Sequence, residues 1–408
     1  MNLLKEAKNF AFWSPTNAQT PNHCCDFDIL SAECKSSLFC FGKWVGSALV
    51  KPGLAYAASV QCHTETPDSV YAMANWLDEN GKYIRREYLI IEPQTKGQEW
   101  VRLSAVFVAP QGAAKAEIEL TLHAPGAVKW QNVTLAEAPP IAPRPVRIAS
   151  AFFAPRRNLQ RNLEAMLELA DKAGEKQADV LLFTESAYDR GVTPIEAKCV
   201  PIPSISSDDV LGQFAAKAKQ HNCNIIVNLT EDEGGFFFNT TVLLDRNGKY
   251  VGKYRKSHLP PVEKEAGYSP GDDLPVFAMD FATIGILTCF DLAFLDTGRT
   301  LKSKGAELIF VPTIGNFMLY SQVQAKENGM YVIVSGGDLP HPSRILDPNG
   351  DIIASVDGAC DGIAFAEIEV SRGFYSMATG FYPATSNAGN ALFNQRRKKL
   401  YKKPENLL

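Results

Sequence analysis

The feature that most constrains this chain is the run AEAPPIAPRPV, residues 136–146, with prolines at Pro139, Pro140, Pro143 and Pro145. Proline fixes φ and removes a backbone donor, so neither a helix nor a central strand passes through such a run. It reads as a linker over 139–145. The hydrophobic pattern differs on its two sides, which makes it a domain boundary. A chain of 408 residues is also longer than one core ordinarily organises.

Before the linker, short stretches of alternating apolar and polar residues are separated by turn residues: WVGSALVKPG, YAASVQCHTE, VYAMANWLDENGKYI, WVRLSAVFVAPQGA, AEIELTLHAPG and VKWQNVTL. This spacing predicts an all-β sandwich over 1–138. The pair Asn80-Gly81 predicts a tight hairpin. After the linker the period changes. VRIASAFF, ADVLLFTES, NCNIIVNLT, ATIGILTC, AELIFVPT and YVIVSGG read as buried strands. Between them Leu159, Leu163, Met166, Leu167 and Ala170 share one helical face behind a possible cap at Asn158, and DDVLGQFAAKAKQH, TGRTLKSKG and MLYSQVQAKENG also read as helices. GFFFNTTVLLD and GKYVGKYRK form a hairpin around Asn247-Gly248, so the expected class over 146–375 is α/β with a mixed sheet.

Composition narrows the function. The apolar content of 46% and charged content of 21% are those of a globular protein, and a net charge of −4 suggests no nucleic-acid partner. No apolar run approaches the ~18 residues of a membrane span, and Lys5, Glu6 and Lys8 interrupt the start where a signal peptide would be apolar. Nine cysteines at irregular spacings read as reduced thiols in a cytoplasmic chain, and His23 beside Cys24 and Cys25 lacks a second pair at zinc spacing. The basic cluster Arg396, Arg397, Lys398, Lys399, Lys402 and Lys403 lies in a tail over 376–408, read as solvated, with a subunit contact as the alternative.

In α/β folds, polar groups at strand ends line the ligand crevice. Those groups here are Glu185 after LLFT, Lys256 and His258 after the hairpin, and Cys289 after GILT. A thiol needs a base to become a thiolate, a carboxylate can supply it, and an ammonium with a backbone N–H can hold the oxyanion of an attacked carbonyl. Each has an ordinary alternative: a packed cysteine, a capping glutamate, a solvated lysine, or His258 as the base of a Cys–His pair.

Four segments separate these alternatives: LLFTESAYDRG, GKYRKSHLPPVEKEAGYSPGD, IGILTCFDLAFLDTGRTLKSKGAELIFVPT and QAKENGMYVIVSGG. Together, over roughly residues 146 to 370, they resemble the nitrilase superfamily of carbon–nitrogen hydrolases. The resemblance implies an α-β-β-α sandwich with Cys289 as nucleophile, Glu185 as general base and Lys256 as oxyanion cation. It implies the Phe290 N–H as second oxyanion donor and Glu263 as a further glutamate, with Glu265 the alternative. It implies no metal or organic cofactor, and association as a homodimer or larger homo-oligomer. Asp291 is expected to order the loop carrying the thiol. Tyr188, Thr313, Asn316 and Phe317 follow strand ends and are candidates for the substrate pocket, with packing an equal reading. Glu327 and Asn328 resemble the family's supporting helix.

Phe290-Asp291 stands where nitrile-hydrolysing members carry Trp-Glu, Thr184 replaces a common proline, and Ser335-Gly336-Gly337-Asp338 replaces an Asn-Arg pattern. The expected reaction is therefore hydrolysis of a non-peptide amide or N-carbamoyl group through a thioester. Nitrile hydrolysis, acyl transfer and a glycan- or partner-binding protein with a vestigial hydrolase domain are the alternatives. The first domain resembles the jelly-roll modules of carbohydrate-binding type. Trp76, Trp100 and Trp130 are its candidate sugar platforms, though core packing is the commoner use of tryptophan.

Overall fold

A computed structural model describes residues 1–4, 6–35, 39–92, 99–190, 202, 209–336, 342–356 and 358–371. Gly337, Asp338 and the basic cluster at 396–403 lie outside the described residues. The chain divides into two compact units between Ala142 and Pro143, inside the proline-rich run.

The first unit is built from two antiparallel sheets. One orders Ala11–Trp13, Gly42–Leu49, Lys115–Leu122, Val70–Leu77 and Tyr83–Tyr88; the other orders Asn22–Asp26, Ile29–Cys34, Gly126–Glu137, Ala55–His63, Val101–Val108 and Ile90–Ile91. Gly42–Leu49 and Ile29–Cys34 bury alternate residues, as strands with one wet face do. The buried set, including Trp44, Tyr56, Val60, Trp76, Ile118 and Trp130, forms one core. Trp76 and Trp130 have no exposed surface, and the Trp76 indole N–H donates to the buried Glu87. They are core residues, not sugar platforms; Trp100 is half-buried beside His63. The structure pairs Cys34 with Cys40 as a disulfide. That corrects the expectation of thiols throughout, and the cytoplasmic expectation loses that support.

The second unit has two six-stranded mixed sheets. The first orders Tyr250–Arg255, Phe236–Leu244, Asn224–Glu233, Val180–Leu182, Pro145–Phe152 and Gly362–Glu369. The second orders Val276–Ala278, Thr283–Ile286, Leu308–Thr313, Tyr331–Gly336, Arg344–Leu346 and Ile352–Ser355. Three neighbouring strands in each run parallel, and these are the continuous apolar segments of the sequence. Helices Leu159–Glu175 and Val210–His221 pack on the first sheet, and Leu295–Ser303 and Met318–Asn328 on the second, giving helix–sheet–sheet–helix layers. Asn158 caps the first helix by accepting the Arg161 N–H at 3.0 Å.

Between the sheets, short hydroxyls bridge backbones. Ser150 donates to the Val334 carbonyl (2.7 Å), Ser335 to Ala151 (2.5 Å) and Thr184 to Thr313 (2.8 Å). Small polar side chains satisfy buried carbonyls here while letting two sheets approach. No helix among the described residues is long and apolar enough to cross a membrane.

Candidate active site

Strand Thr283–Ile286 enters the sheet interior and the chain turns sharply at Cys289, whose φ is +49°. A side chain other than glycine at positive φ carries strain, so the surroundings must hold it there. Thr288 and Asp291 do so reciprocally in a capping box: Thr288 accepts the Asp291 N–H, and the Asp291 carboxylate accepts the Thr288 N–H at 2.8 Å. Asp291 has no exposed surface. It also accepts from the Tyr254 hydroxyl (2.7 Å) and the His258 N–H (2.9 Å), and its Oδ1 lies 2.9 Å from His258 Nδ1. The His258 ring, stacked on Phe294 at 4.0 Å, is thereby engaged with Asp291.

Glu185 follows the short strand Val180–Leu182, Lys256 follows Tyr250–Arg255, and Glu263 lies on the helix Pro261–Glu265. These distant positions meet. Lys256 Nζ donates to Glu185 Oε1 at 2.8 Å and to Glu263 Oε1 at 2.6 Å, and both Lys256 and Glu185 are buried. Glu265 is exposed. Gly271 donates to the Lys256 carbonyl and the Lys256 N–H to the Asn239 carbonyl, both at 2.9 Å, so the lysine backbone is fixed on both sides.

Electrostatics follow from burial. Burial works against the Lys256 ammonium, but Glu185, Cys289 and Glu263 outweigh it and hold its pKa above the ordinary lysine value. Burial raises the Glu263 carboxyl despite Lys256. Burial and then the Glu185 charge push the Cys289 thiol up to about 12, against weaker pulls from Lys256, Thr313 and Gly315. The resting thiol is therefore neutral and needs a base to react.

An ammonium has three N–H donors, and two are used by the glutamates. Phe290 is the second residue of the helical turn Cys289–Ala293, where N–H groups have no acceptor within the turn. The arrangement offers a thiol, a carboxylate, and two kinds of donor for a developing oxyanion.

Of the pocket candidates, Thr313 lies against the Cys289 thiol, which its side chain hydrogen-bonds, while the others are placed by packing and local turns. Tyr188 packs into the apolar core, its carbonyl accepting from Asn162 at 2.9 Å. Thr313 is fully buried and donates to the Gly315 carbonyl at 3.0 Å. Asn316 is exposed and accepts the Met318 N–H at 3.2 Å, and Phe317 packs on the core under the second sheet's helices. Glu327 pairs with Arg299, and Asn328 donates to Gln324 at 2.9 Å, both within the helix layer.

Sequence reasoning missed Asn239 and Asn228. Asn239 Nδ2 donates to Glu185 Oε1 at 2.8 Å, and Asn228 Nδ2 donates to Asn239 Oδ1 at 2.8 Å. The signal was available: FFFNTTVLL and NIIVNLT each place an asparagine inside a buried strand, where it is disfavoured unless it bonds.

Comparison with known proteins agrees with this architecture. The carbon-nitrogen hydrolase family model matches residues 147–373. The "Hydrolase in pqqF 5'region" of Pseudomonas protegens is 29% identical over 286 residues, covering 67% of this chain and 92% of that protein. The N-carbamoylputrescine amidase of Arabidopsis thaliana is 30% identical over 176 residues, covering 42% of this chain and 59% of that protein. Among solved structures, an amidase from Nesterenkonia sp. shares the fold with a TM-score of 0.52 and 22% identity, covering 63% of this chain and 95% of its own. With the family model spanning more than half its length, the chain belongs to the carbon–nitrogen hydrolase family.

Proposed function

We propose that this carbon–nitrogen hydrolase cleaves a non-peptide amide or N-carbamoyl group through a thioester on Cys289. The observation that carries the reading is the buried contact of Lys256 with both Glu185 and Glu263, in electrostatic reach of a thiol held neutral at the tip of a strained turn. In this reading Glu185 takes the Cys289 proton as sulfur bonds to the amide carbon. Lys256 Nζ and the Phe290 N–H hold the oxyanion. Glu185 then gives the proton to the departing nitrogen as the C–N bond breaks, leaving the thioester. Water attacks next, Glu185 takes its proton and returns it to sulfur, and the acid departs.

One observation favours amides over nitriles, the residue pair after the cysteine; the names of the relatives include both amidases and nitrilases. Phe290-Asp291 follows the cysteine where nitrile-hydrolysing members carry Trp-Glu. The proposed assembly is a homodimer or a larger homo-oligomer, symmetric association being the common state of such enzymes.

The test is ammonia release from primary amides, N-carbamoyl amino acids, ω-amides and nitriles, with Cys289→Ala alongside. Release by wild type alone supports the thiol mechanism, and the best substrate names the acyl group. A thioester seen by mass spectrometry without release points to acyl transfer. Neither release nor adduct on any substrate overturns the reading.

A further inference from the structure

Glu185 meets its donors unevenly. Oε1 accepts from Lys256 Nζ and from Asn239 Nδ2, each at 2.8 Å, which fills its two lone pairs. Among the described residues, Oε2 accepts the Ile314 N–H alone, at 2.9 Å. The orientation of both asparagine amides is fixed by a group that can only donate. The Ser186 backbone N–H gives to Asn228 Oδ1 at 2.7 Å, so the Asn228 amide nitrogen faces the other way, toward Asn239 Oδ1 (2.8 Å) and Thr241 Oγ1 (3.0 Å). Asn239 Oδ1 being an acceptor, its nitrogen must face Glu185. The bonds close a ring that runs from Glu185 through the next peptide to Asn228, to Asn239 and back to Oε1. Every side chain in it is buried, and Ser186 is held at φ +50°.

We infer that Asn239, aligned by Asn228, is a positioning residue that locks the Glu185 carboxylate so that Oε2, with its remaining lone pair, is the atom that exchanges the proton with the Cys289 thiol. Rotating the carboxylate would break three hydrogen bonds at once. This rests on the reading of Glu185 as the base.

Alkylation of Cys289 by iodoacetamide tests it without a known substrate. The rate is followed from acid to neutral pH by intact mass, with peptide mapping to separate Cys289 from the other thiols. Wild type, Glu185→Gln, Asn239→Leu, Asn239→Ser and Thr240→Val are compared. Serine is too short to reach Glu185. Thr240, which donates to Glu231 at 2.8 Å, is a buried neighbour whose loss does not touch the ring.

Both Asn239 variants should move the acid limb of the alkylation rate, because Glu185 loses the bond that orients it. Their plateau rate should fall about 10- to 100-fold, as misplacement of a reacting group does. Thr240→Val should leave the limb in place. A limb that stays put in whichever folded Asn239 variant is obtained, or that moves equally in Thr240→Val, overturns the inference. A Glu185→Gln protein alkylated like wild type overturns the base assignment instead.

Discussion

Lys256 is the residue on which the site's charges balance. Its ammonium lies between two carboxylates, one wholly buried and one largely so. Lys256→Met would leave Glu185 and Glu263 facing each other in a low-dielectric interior. Breaking a buried pair in this way costs ~3–5 kcal/mol. The sign with pH is definite. Burial already holds the Glu263 carboxyl above its ordinary value despite Lys256. Without the ammonium the deficit therefore grows as pH rises out of the carboxylate range and shrinks below about pH 4, where the unfolded chain also binds the proton. Thermal melts of the variant and wild type from pH 3 to 8 measure it. Catalysis has its own pH signature. With the thiol pushed up to about 12 and Lys256 held above its ordinary value, neither group titrates in the usual working range. Activity should rise through the carboxylate range and then stay level to about pH 10; a basic limb near pH 8 in kcat/KM would contradict a neutral resting thiol. Lys256 sits in the basic stretch KYRK and is singled out by the resemblance of its motif, whereas Glu185 and Cys289 were legible as candidates because each directly follows an apolar run. Asn228 and Asn239 sit within such runs, and a periodicity reading treats the interior of a strand as packing.

At the scale of elements, the turn Cys289–Ala293 depends on Asp291. Its carboxylate joins the N-cap of the turn, the tyrosine of the neighbouring strand and the backbone of His258. Asp291→Ala removes all of these acceptors, leaves buried donors without partners, and frees the strained cysteine. The expected result is a loss of 2–3 kcal/mol or about that in stability with about a 100-fold fall in kcat, measured by denaturant melts and turnover on the best amide of the panel. The helix pair behind the turn is packed as tightly. A Cβ at Gly298 would stand 2.0 Å from the Gln324 amide oxygen, and Gln324 is fully buried. Gly298→Ala should therefore destabilise by roughly 1–3 kcal/mol through overpacking, despite alanine's better helix propensity. The parallel strands were legible as unbroken apolar runs bounded by turn residues. Arg344–Leu346, Ile352–Ser355 and Gly362–Glu369 were not, because they are short or lie at sheet edges where one face is wet and the apolar run is broken.

For the whole molecule, the change of period at the proline run announced two kinds of architecture, a sandwich of alternating strands and a layered α/β unit. What a single chain cannot announce is its surface partner. In the α/β unit Phe294, Leu295, Leu319 and Tyr320 are large, apolar and exposed, with Leu319 at 69%. They lie at the starts of Leu295–Ser303 and Met318–Asn328, helices that pack against each other. Gln324, in the second half of the second helix, donates to the Phe294 carbonyl at 3.4 Å, which ties that helix to the start of the first. Clustered apolar side chains of this kind mark interaction surfaces more often than idle ones. Closed two-fold pairing is the commonest way for one chain to cover such a patch with itself. A homodimer built on this face predicts a mass twice 44.7 kDa in light scattering during size-exclusion chromatography. Leu319→Lys with Tyr320→Glu should move the peak to the monomer mass without changing the thermal melt of the α/β unit, because both side chains are solvent-facing in the single chain. If wild type runs as a monomer at micromolar concentration, the patch does not pair copies of the chain. If the double variant stays dimeric, the pairing uses another surface. The turn that carries Cys289 leads directly into Phe294 and Leu295. A dimer built on this face would brace the catalytic turn from outside, and the monomeric variant should then lose turnover along with its partner.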